Sequence, residues 1–485
     1  MDNTITKKKI ITSFIWKTME KGGAQIIQFV ISIILARMLS PSDYGILALI
    51  TVFINLANAF VQSGFGTALI QDKDSGDLEF STVFYFSIFA SIVFYIILFF
   101  AAIPIANFYQ TPILIKIIRI LSVSLLFNSI ASIQNSYLSK ELNFKKNFIG
   151  SIFSITISGL IGIFMAYKQF GMWALVGQNL SYSFLTFFIF LIILDWKPKL
   201  LFSFTKFKKL FSFSWKILIS NLIRTFFNNV QNLIIGKYFN TSQLGIYNRG
   251  QNFPQIITNT LDGSIQSVLF PTLSSKNNDI EYIKNTMRKS ISLSAYILLP
   301  CIFGMAAVAE PMVITLLSEK WKESIPFMQI ACIGFAFIPI QSANLTAITS
   351  IGRSDIYLRL EVIKRIVTVI VLVITTPIGI IAMAIGQAIC NILFSFINAF
   401  PNKRLLNYTY KEQLEDLLPS LFISIIMSVS ILLLNKVISI LPLLTLILDI
   451  VLGITLYILL SMITRNKSFK YLFDLIKKRT QKKSE

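Results

Sequence analysis

Polar side chains recur at helical spacing in four apolar stretches of this 485-residue chain, and these are the residues whose types suit ligand binding. Steps of three and four residues place side chains on one face of an α-helix. Two such stripes lie near the start of the sequence: Lys17, Glu20, Lys21, Gln25 and Gln28, then Thr51, Asn55, Asn58 and Gln62. Two more lie in its second half: Asn221, Arg224, Thr225, Asn228 and Asn232, then Asn248, Asn252, Gln255, Asn259, Asp262 and Gln266.

These stripes predict one polar cavity, because an unpaired amide or charge in hydrocarbon is costly and must meet another polar group or water. The candidate charges are four cations and two acids: Lys17, Lys21, Arg224, Arg249, Glu20 and Asp262. A net cationic, amide-lined cavity suits an anionic ligand rich in hydroxyl groups, with arginine for phosphate and amides for sugars. The predicted substrate-binding residues are Arg224, Arg249, Lys21, Glu20, Asn55, Gln62, Asn228, Gln255 and Asp262.

Alternative roles are open for several of these side chains. Lys17 and Lys21 lie near one end of their helix, where long basic side chains extend to the membrane surface. Arg249 lies near the outer end of its helix, which also suits an interface anchor, whereas Arg224 lies deeper. Asn and Gln on helix faces also hold neighbouring helices together. Two acids without a polar stripe, Glu310 and Asp449, are interpreted as structural.

The composition predicts an all-α polytopic membrane protein. Hydrophobic residues make up 54% of the chain and charged residues 14%, and most of it divides into apolar blocks long enough to span a bilayer. Histidine is absent and the three cysteines are far apart, so neither a metal site nor a cofactor is predicted. The net charge of +21 is spread over alternate loops, which argues against nucleic acid as a partner.

About fourteen membrane-spanning helices are predicted. They are placed at residues 10–38, 43–70, 80–106, 113–138, 148–168, 171–194, 212–239, 242–270, 286–317, 324–351, 355–376, 378–400, 415–435 and 440–464. Basic residues concentrate in every second loop and in both terminal segments, which predicts that both termini are cytoplasmic. Glu20 and Lys21 interrupt the first apolar stretch, so we expect a retained helix rather than a cleaved signal. The short loops leave no room for a nucleotide-binding domain, and no enzymatic activity is predicted.

A repeat divides the chain into two related halves. Residues 37–46 (RMLSPSDYGI) and 237–246 (KYFNTSQLGI) share serine, glycine and isoleucine at one offset of 200 residues. The pairs Asn55/Gln255 and Gln62/Asp262 keep the same offset. In membrane transporters built from two halves, the substrate lies between them. The motif itself is expected to shape the short outer turn between two helices rather than to touch the substrate.

These motifs resemble those of Wzx-type polysaccharide flippases, within the multidrug/oligosaccharidyl-lipid/polysaccharide exporter superfamily. The resemblance rests on ARMLSPSDYG at 36–45 and its echo GKYFNTSQLGIYNR at 236–249. FPTL at 270–273 and SIGRSD at 350–355 fit the subgroup that handles lipid-linked repeat units of colanic-acid or teichuronic-acid type. The resemblance covers essentially the whole chain.

The resemblance implies two pseudo-symmetric six-helix bundles around a central cavity, at 1–195 and 212–400, joined by a basic cytoplasmic linker at 196–211. An additional helix pair at 415–464 and a basic tail at 465–485 would follow. It further implies that undecaprenyl-pyrophosphate-linked oligosaccharide moves from the cytoplasmic to the outer leaflet of a bacterial cytoplasmic membrane by alternating access. Glycosyltransferases and a polymerase of the same pathway are the implied partners. Because related lipid II flippases have essential cavity arginines, Arg224 and Arg249 are the candidates here.

Two other functions are weighed against this one. An ion-coupled multidrug exporter of the same superfamily would need an unpaired acid, for which Asp262 is available, but the cationic balance argues against it. A membrane glycan polymerase or ligase would need a catalytic loop outside the bilayer, and the outward loops are too short. A purely structural scaffold would leave the buried charges unexplained.

Overall fold

All regular structure is helical in the computed structural model, which describes residues 7–62, 64–72, 75–276, 278–437 and 441–474. The prediction of an all-α protein is therefore confirmed. One 3₁₀ helix covers Glu319–Ser324. The α-helices are α1 (Lys7–Met38), α2 (Pro41–Gln62), α3 (Phe65–Gln71), α4 (Asp77–Phe108), α5 (Ile113–Leu121), α6 (Ser124–Lys140), α7 (Phe144–Tyr167), α8 (Trp173–Ile193), α9 (Phe204–Tyr238), α10 (Thr241–Ser274), α11 (Ile280–Ala307), α12 (Ala309–Leu317), α13 (Ile325–Phe335), α14 (Ile338–Ser350), α15 (Ser354–Thr375), α16 (Ile380–Ala399), α17 (Asn402–Leu405), α18 (Tyr410–Val437) and α19 (Pro442–Ile463).

The chain is a multi-pass membrane protein. Within the described residues, nine helical segments are long and apolar enough to cross a membrane, and a tenth is formed by two segments bent by 42° at Phe335–Ile338. Four other long helices, α1, α9, α10 and α15, are not among these ten, and each carries charged residues within it. Together they make fourteen long helical segments, which agrees with the number predicted from the sequence.

The largest difference from the predicted helix bounds is the start of α9. This helix begins at Phe204, eight residues before the predicted start at residue 212. The side chain of Ser203 caps it by accepting a hydrogen bond from the backbone N–H of Lys206, at 3.4 Å. A capped first turn satisfies a backbone donor that would otherwise lack a partner. The second half of the predicted linker is therefore helix.

Two compact units divide the chain, Met1–Gly245 and Ile246–Glu485. In the first unit, α7 packs against α1 and α8, and α6 packs against α4 and α8. The segment that precedes α9 is fixed to α4, because the backbone N–H groups of Lys199 and Ser203 donate to the hydroxyls of Ser81 and Thr82, each at 3.1 Å. This anchoring places α9 against α2 and α3.

In the second unit, α11 packs along α18. Arg288 donates two hydrogen bonds to the carboxylate of Asp416, at 2.9 and 3.0 Å, and Lys284 pairs with Glu412 at 2.9 Å. Bidentate arginine–carboxylate pairs fix both distance and orientation, so these contacts set the register of the two helices. Helix α19 packs against α18 and α12. The finer domain bounds given in the sequence analysis stay predictions.

Candidate functional site

The two copies of the repeated motif build two similar helix starts in the first unit. Ser40 precedes α2, and its backbone N–H donates to Asp43 at 2.9 Å while the backbone N–H of Asp43 donates to the Ser40 hydroxyl at 3.3 Å. Asn240 precedes α10, and its side-chain oxygen accepts from the backbone N–H of Gln243 at 2.8 Å. Both arrangements are N-terminal caps. The motif thus has the turn-shaping role predicted for it.

Glycine at the fifth position after each cap allows the two copies to touch through their backbones. A Cβ atom on Gly45 would lie 1.6 Å from the carbonyl oxygen of Thr241, and one on Gly245 would lie 1.9 Å from that of Pro41. The hydroxyl groups of Ser42 and Thr241 are 2.8 Å apart and share a hydrogen bond. The equivalent residues therefore meet each other in a reciprocal contact that any side chain at either glycine would block.

A polar pocket of about 700 Å³ lies elsewhere in the first unit, among α1, α2, α3, α6 and α9. Its walls are rich in amides and hydroxyls. The lining residues are Lys17, Asn55, Asn58, Ala59, Gln62, Gly64, Gly66, Thr67, Ile70, Ser132, Asn135, Ser136, Ser139, Asn221, Arg224 and Thr225. This volume lies within the range of small-molecule binding sites.

The charged side chains of the pocket lining are positive. Lys17 and Arg224 contribute the positive charges, and no acidic side chain belongs to the lining within the described part of the chain. Glu20 lies just outside and pairs with Lys17 at 2.9 Å, with 13% of its side chain exposed against 34% for Lys17. The guanidinium of Arg224 donates to the amide oxygen of Asn221 at 3.0 Å. Arg224 is thus oriented by a neutral group, whereas Lys17 is partly neutralised.

Amides and hydroxyls of α2 and α6 form the remaining polar wall. Asn55, Asn58 and Gln62 follow one face of α2, as the sequence predicted. On α6, the side-chain oxygen of Asn135 accepts a hydrogen bond from Asn147 at 2.9 Å, and this bond does not use the Asn135 amino group. Side-chain amides both donate and accept, so this wall can match ligand hydroxyl groups.

Two glycines at the start of α3, Gly64 and Gly66, belong to the pocket lining. Gly64 has a φ of 70°, a backbone conformation that residues with a side chain rarely adopt. At Gly66 an added Cβ would lie 2.5 Å from the hydroxyl oxygen of Ser136, so the absence of a side chain lets α3 approach α6 closely. Glycine is therefore favoured at both positions of the lining, by the backbone conformation at residue 64 and by close packing at residue 66.

Of the predicted binding residues, the structure brings together Arg224, Asn55 and Gln62, with Glu20 adjacent through Lys17. Asn228 is exposed one turn beyond Arg224 on α9 and is not part of the lining. The side chain of Lys21 lies outside the described part of the structure.

The predicted residues of α10 belong to the second unit and do not line this pocket. Arg249 is 5% exposed, and its guanidinium lies over the rings of Phe253 and Trp321, at 5.5 and 5.8 Å. Ring faces attract a guanidinium, and the choice between a cavity role and an anchoring role for Arg249 stays a prediction. Gln255 is exposed, and Asp262 accepts a hydrogen bond from Gln266 at 3.3 Å. A shared cavity with the first unit stays a prediction.

The residues that the sequence analysis missed are those of α6. Ser132, Asn135, Ser136 and Ser139 step by three, one and three, so they form a helical stripe of the same kind as the four that were recognised. This stripe was visible in the sequence near the end of the span predicted at 113–138. The glycines at 64 and 66 were missed because the span at 43–70 was treated as one continuous helix.

Known proteins resemble this chain in sequence and in fold. A family model described as polysaccharide biosynthesis protein matches residues 34–326, more than half of the chain. The succinoglycan biosynthesis transport protein ExoT of Rhizobium meliloti (strain 1021) is 22% identical over 368 residues, covering 76% of this chain and 74% of the relative. The teichuronic acid biosynthesis protein TuaB of Bacillus subtilis (strain 168) is 23% identical over 351 residues, covering 72% and 73%.

Among solved structures, the lipid II flippase MurJ in an inward closed conformation matches with a TM-score of 0.77 at 16% identity. The match covers 95% of this chain and 99% of that one. The predicted fold class is confirmed along nearly the full length of the chain.

Proposed function

The chain belongs to the polysaccharide biosynthesis protein family, and we propose that it flips lipid-linked oligosaccharide repeat units across the membrane for surface polysaccharide biosynthesis. The substrate class is an undecaprenyl-pyrophosphate-linked oligosaccharide, carried from the cytoplasmic to the outer leaflet by alternating access. The observation that carries the proposal is the pocket of the first unit, where Lys17 and Arg224 lie among amides and hydroxyls.

In this proposal the pyrophosphate binds at the cationic end of the pocket. Arg224 presents a guanidinium whose protein partner is the neutral Asn221, so its full charge is available to an anion. Lys17 contributes a second cation and exchanges its ion pair with Glu20 for the phosphate. The sugars extend along Asn55, the rest of the α2 wall and α6, where amides exchange hydrogen bonds with hydroxyl groups.

The lipid part of the substrate requires no site within this polar pocket, since a prenyl chain is more stable in the bilayer. The protein acts as a transporter and not as an enzyme, because the substrate leaves with its covalent bonds unchanged. We place it in a bacterial cytoplasmic membrane with both termini in the cytoplasm, on the distribution of basic loops. The glycosyltransferases that make the repeat unit and the polymerase that uses it are the proposed partners.

Leaflet transfer in reconstituted vesicles tests the proposal. The full chain is placed in liposomes with a fluorescent undecaprenyl-pyrophosphate oligosaccharide, and transfer is measured by the accessibility of the glycan to an added glycosidase. The wild type should transfer the substrate. Arg224→Ala should slow transfer about tenfold or more, because a charged hydrogen bond to phosphate contributes roughly 1.5–3 kcal/mol. Arg224→Lys should lose less, since it keeps the charge.

Arg353→Ala serves as the matched control. Arg353 pairs with Asp355 at 2.9 Å, is exposed and does not line the pocket, so its loss should leave transfer unchanged. Transfer by Arg224→Ala at the wild-type rate would remove the assigned site while leaving the function intact. No transfer by the wild type, together with export of a cationic dye, would replace the proposed function with that of a drug exporter.

A further inference from the structure

A second pocket, of about 440 Å³, lies in the second unit among α11, α12, α18 and α19. Its walls are almost entirely apolar and include three flexible methionines, Met305, Met312 and Met427. Methionine side chains adapt to ligands of varied shape. Asp449 of α19 is the one charged residue of this lining within the described part of the chain.

Only one of the two carboxylate oxygens of Asp449 has a hydrogen-bond partner among the described residues. The residue is 1% exposed, and its Oδ2 accepts a hydrogen bond from the side chain of Asn435 at 2.8 Å. Its Oδ1 is buried and has no hydrogen-bond partner among the described residues. A buried carboxylate is costly in apolar surroundings unless it meets a donor or a cation. The protein supplies one donor to this carboxylate and leaves its other, covered oxygen without one, in a residue that lines the pocket.

The tyrosine hydroxyl of the pocket lining already has a hydrogen-bond partner in the protein. The hydroxyl of Tyr457 donates to the backbone carbonyl of Tyr296 at 2.8 Å and therefore holds α19 against α11. Small residues keep the space open: a Cβ on Gly304 would meet only the terminal methyl of Met427, at 3.4 Å. The rim is formed by isoleucines of α19, with Ile450 48% and Ile454 58% exposed. The pocket thus opens at an apolar surface, which in a membrane protein is accessible from lipid.

We propose that this pocket binds a lipophilic monocation, whose apolar body fills the space between α11 and α19 and whose positive charge meets Asp449. A cation satisfies the carboxylate oxygen that the protein leaves without a partner, and an apolar body matches the walls. A ligand of this kind partitions into the bilayer and reaches the pocket through its rim. The site is separate from the polar pocket of the first unit and selects the opposite charge.

Binding of a fluorescent cationic dye tests this site. The purified full chain is placed in nanodiscs of phosphatidylcholine, and rhodamine 6G binding is followed by fluorescence anisotropy. Asp449→Asn, which keeps the shape and removes the charge, should weaken binding at least tenfold. Nile red, a neutral apolar dye, should bind wild type and Asp449→Asn equally. Glu310→Gln is the matched control, because Glu310 lies on α12 at 59% exposure outside the pocket and should leave rhodamine binding unchanged.

Gly304→Leu provides an independent variant that fills the pocket and keeps Asp449. This variant should weaken the binding of both dyes. It also keeps the proposal testable if Asp449→Asn fails to fold, as judged by size-exclusion chromatography. Rhodamine binding that is unchanged by Asp449→Asn, or by Gly304→Leu, overturns the proposal. So does Nile red binding that falls as much as rhodamine binding in Asp449→Asn, because the charge would then not be what the site recognises.

Discussion

Replacing Gly45 with alanine should force apart the two helix starts that meet at the repeated motif. The new Cβ would lie 1.6 Å from the carbonyl oxygen of Thr241, whereas real Cβ contacts are essentially never under 3.0 Å. The obstacle is backbone and not a mobile side chain, so the strain cannot be relieved by a rotamer change. The backbones of α2 and α10 must therefore separate by at least 1.4 Å, the difference between these two distances.

The expected loss in the free energy of unfolding follows from the contacts that this separation breaks. Overpacking of this kind costs about 1–3 kcal/mol, and losing the 2.8 Å hydrogen bond between Ser42 and Thr241 costs about 1 kcal/mol more. Alanine regains about 1 kcal/mol over glycine within a helix. Gly45→Ala should thus destabilise the protein by about 2 kcal/mol. Gly22→Ala, on α1 with nothing within 4 Å of the added Cβ, should be neutral or stabilise by up to about 1 kcal/mol.

Thermal unfolding of the purified chain in detergent, followed by tryptophan fluorescence, measures both effects. The melting temperature should fall in Gly45→Ala and not in Gly22→Ala. Gly245→Ala should behave like Gly45→Ala, because its Cβ would meet the Pro41 carbonyl at 1.9 Å. The double variant should lose less stability than the sum of the losses in the two single variants, since one separation of the helices accommodates both methyl groups. A melting temperature of Gly45→Ala at or above that of the wild type would refute the close contact.

Three further predictions concern electrostatics and buried polar groups. Glu20→Gln frees Lys17 from its 2.9 Å ion pair and should tighten inorganic pyrophosphate binding about fivefold in calorimetry. The hydrogen bond from Lys146 holds the pKa of Asp195 below its ordinary value, so the pair stabilises the fold above about pH 4 and this contribution is lost as pH falls through the folded pKa. The small difference in melting temperature between wild type and Asp195→Asn should therefore shrink progressively as the pH is lowered below about 4. Asn344→Leu strands two buried amides that bond to it and should cost about 2–3 kcal/mol in thermal unfolding.

Local patterns in the sequence were sufficient to predict the long helical segments and the turn at the repeated motif. The fourteen long segments were predictable because apolar length and periodicity are properties of neighbouring residues. The caps at Ser40 and Asn240 are local as well, since each bonds a residue three positions later. The environment of Arg249 was not predictable in this way. Its ring partner Trp321 lies 72 residues further along the chain, and only tertiary packing brings the two together.

The electrostatic character of the polar pocket depends on which partner each cation has, and that information was available in the sequence. Lys17 is followed three residues later by an acid, and Arg224 is preceded at the same distance by an amide. Residues three apart on a helix are neighbours, so Glu20 neutralises Lys17 whereas Asn221 orients Arg224 and leaves its charge intact. Counting cations therefore overestimates the positive charge of the cavity, and pairing each with its neighbour corrects it. Arg224 is therefore the cation of this lining that can bind an incoming anion without first breaking an ion pair with an acidic side chain.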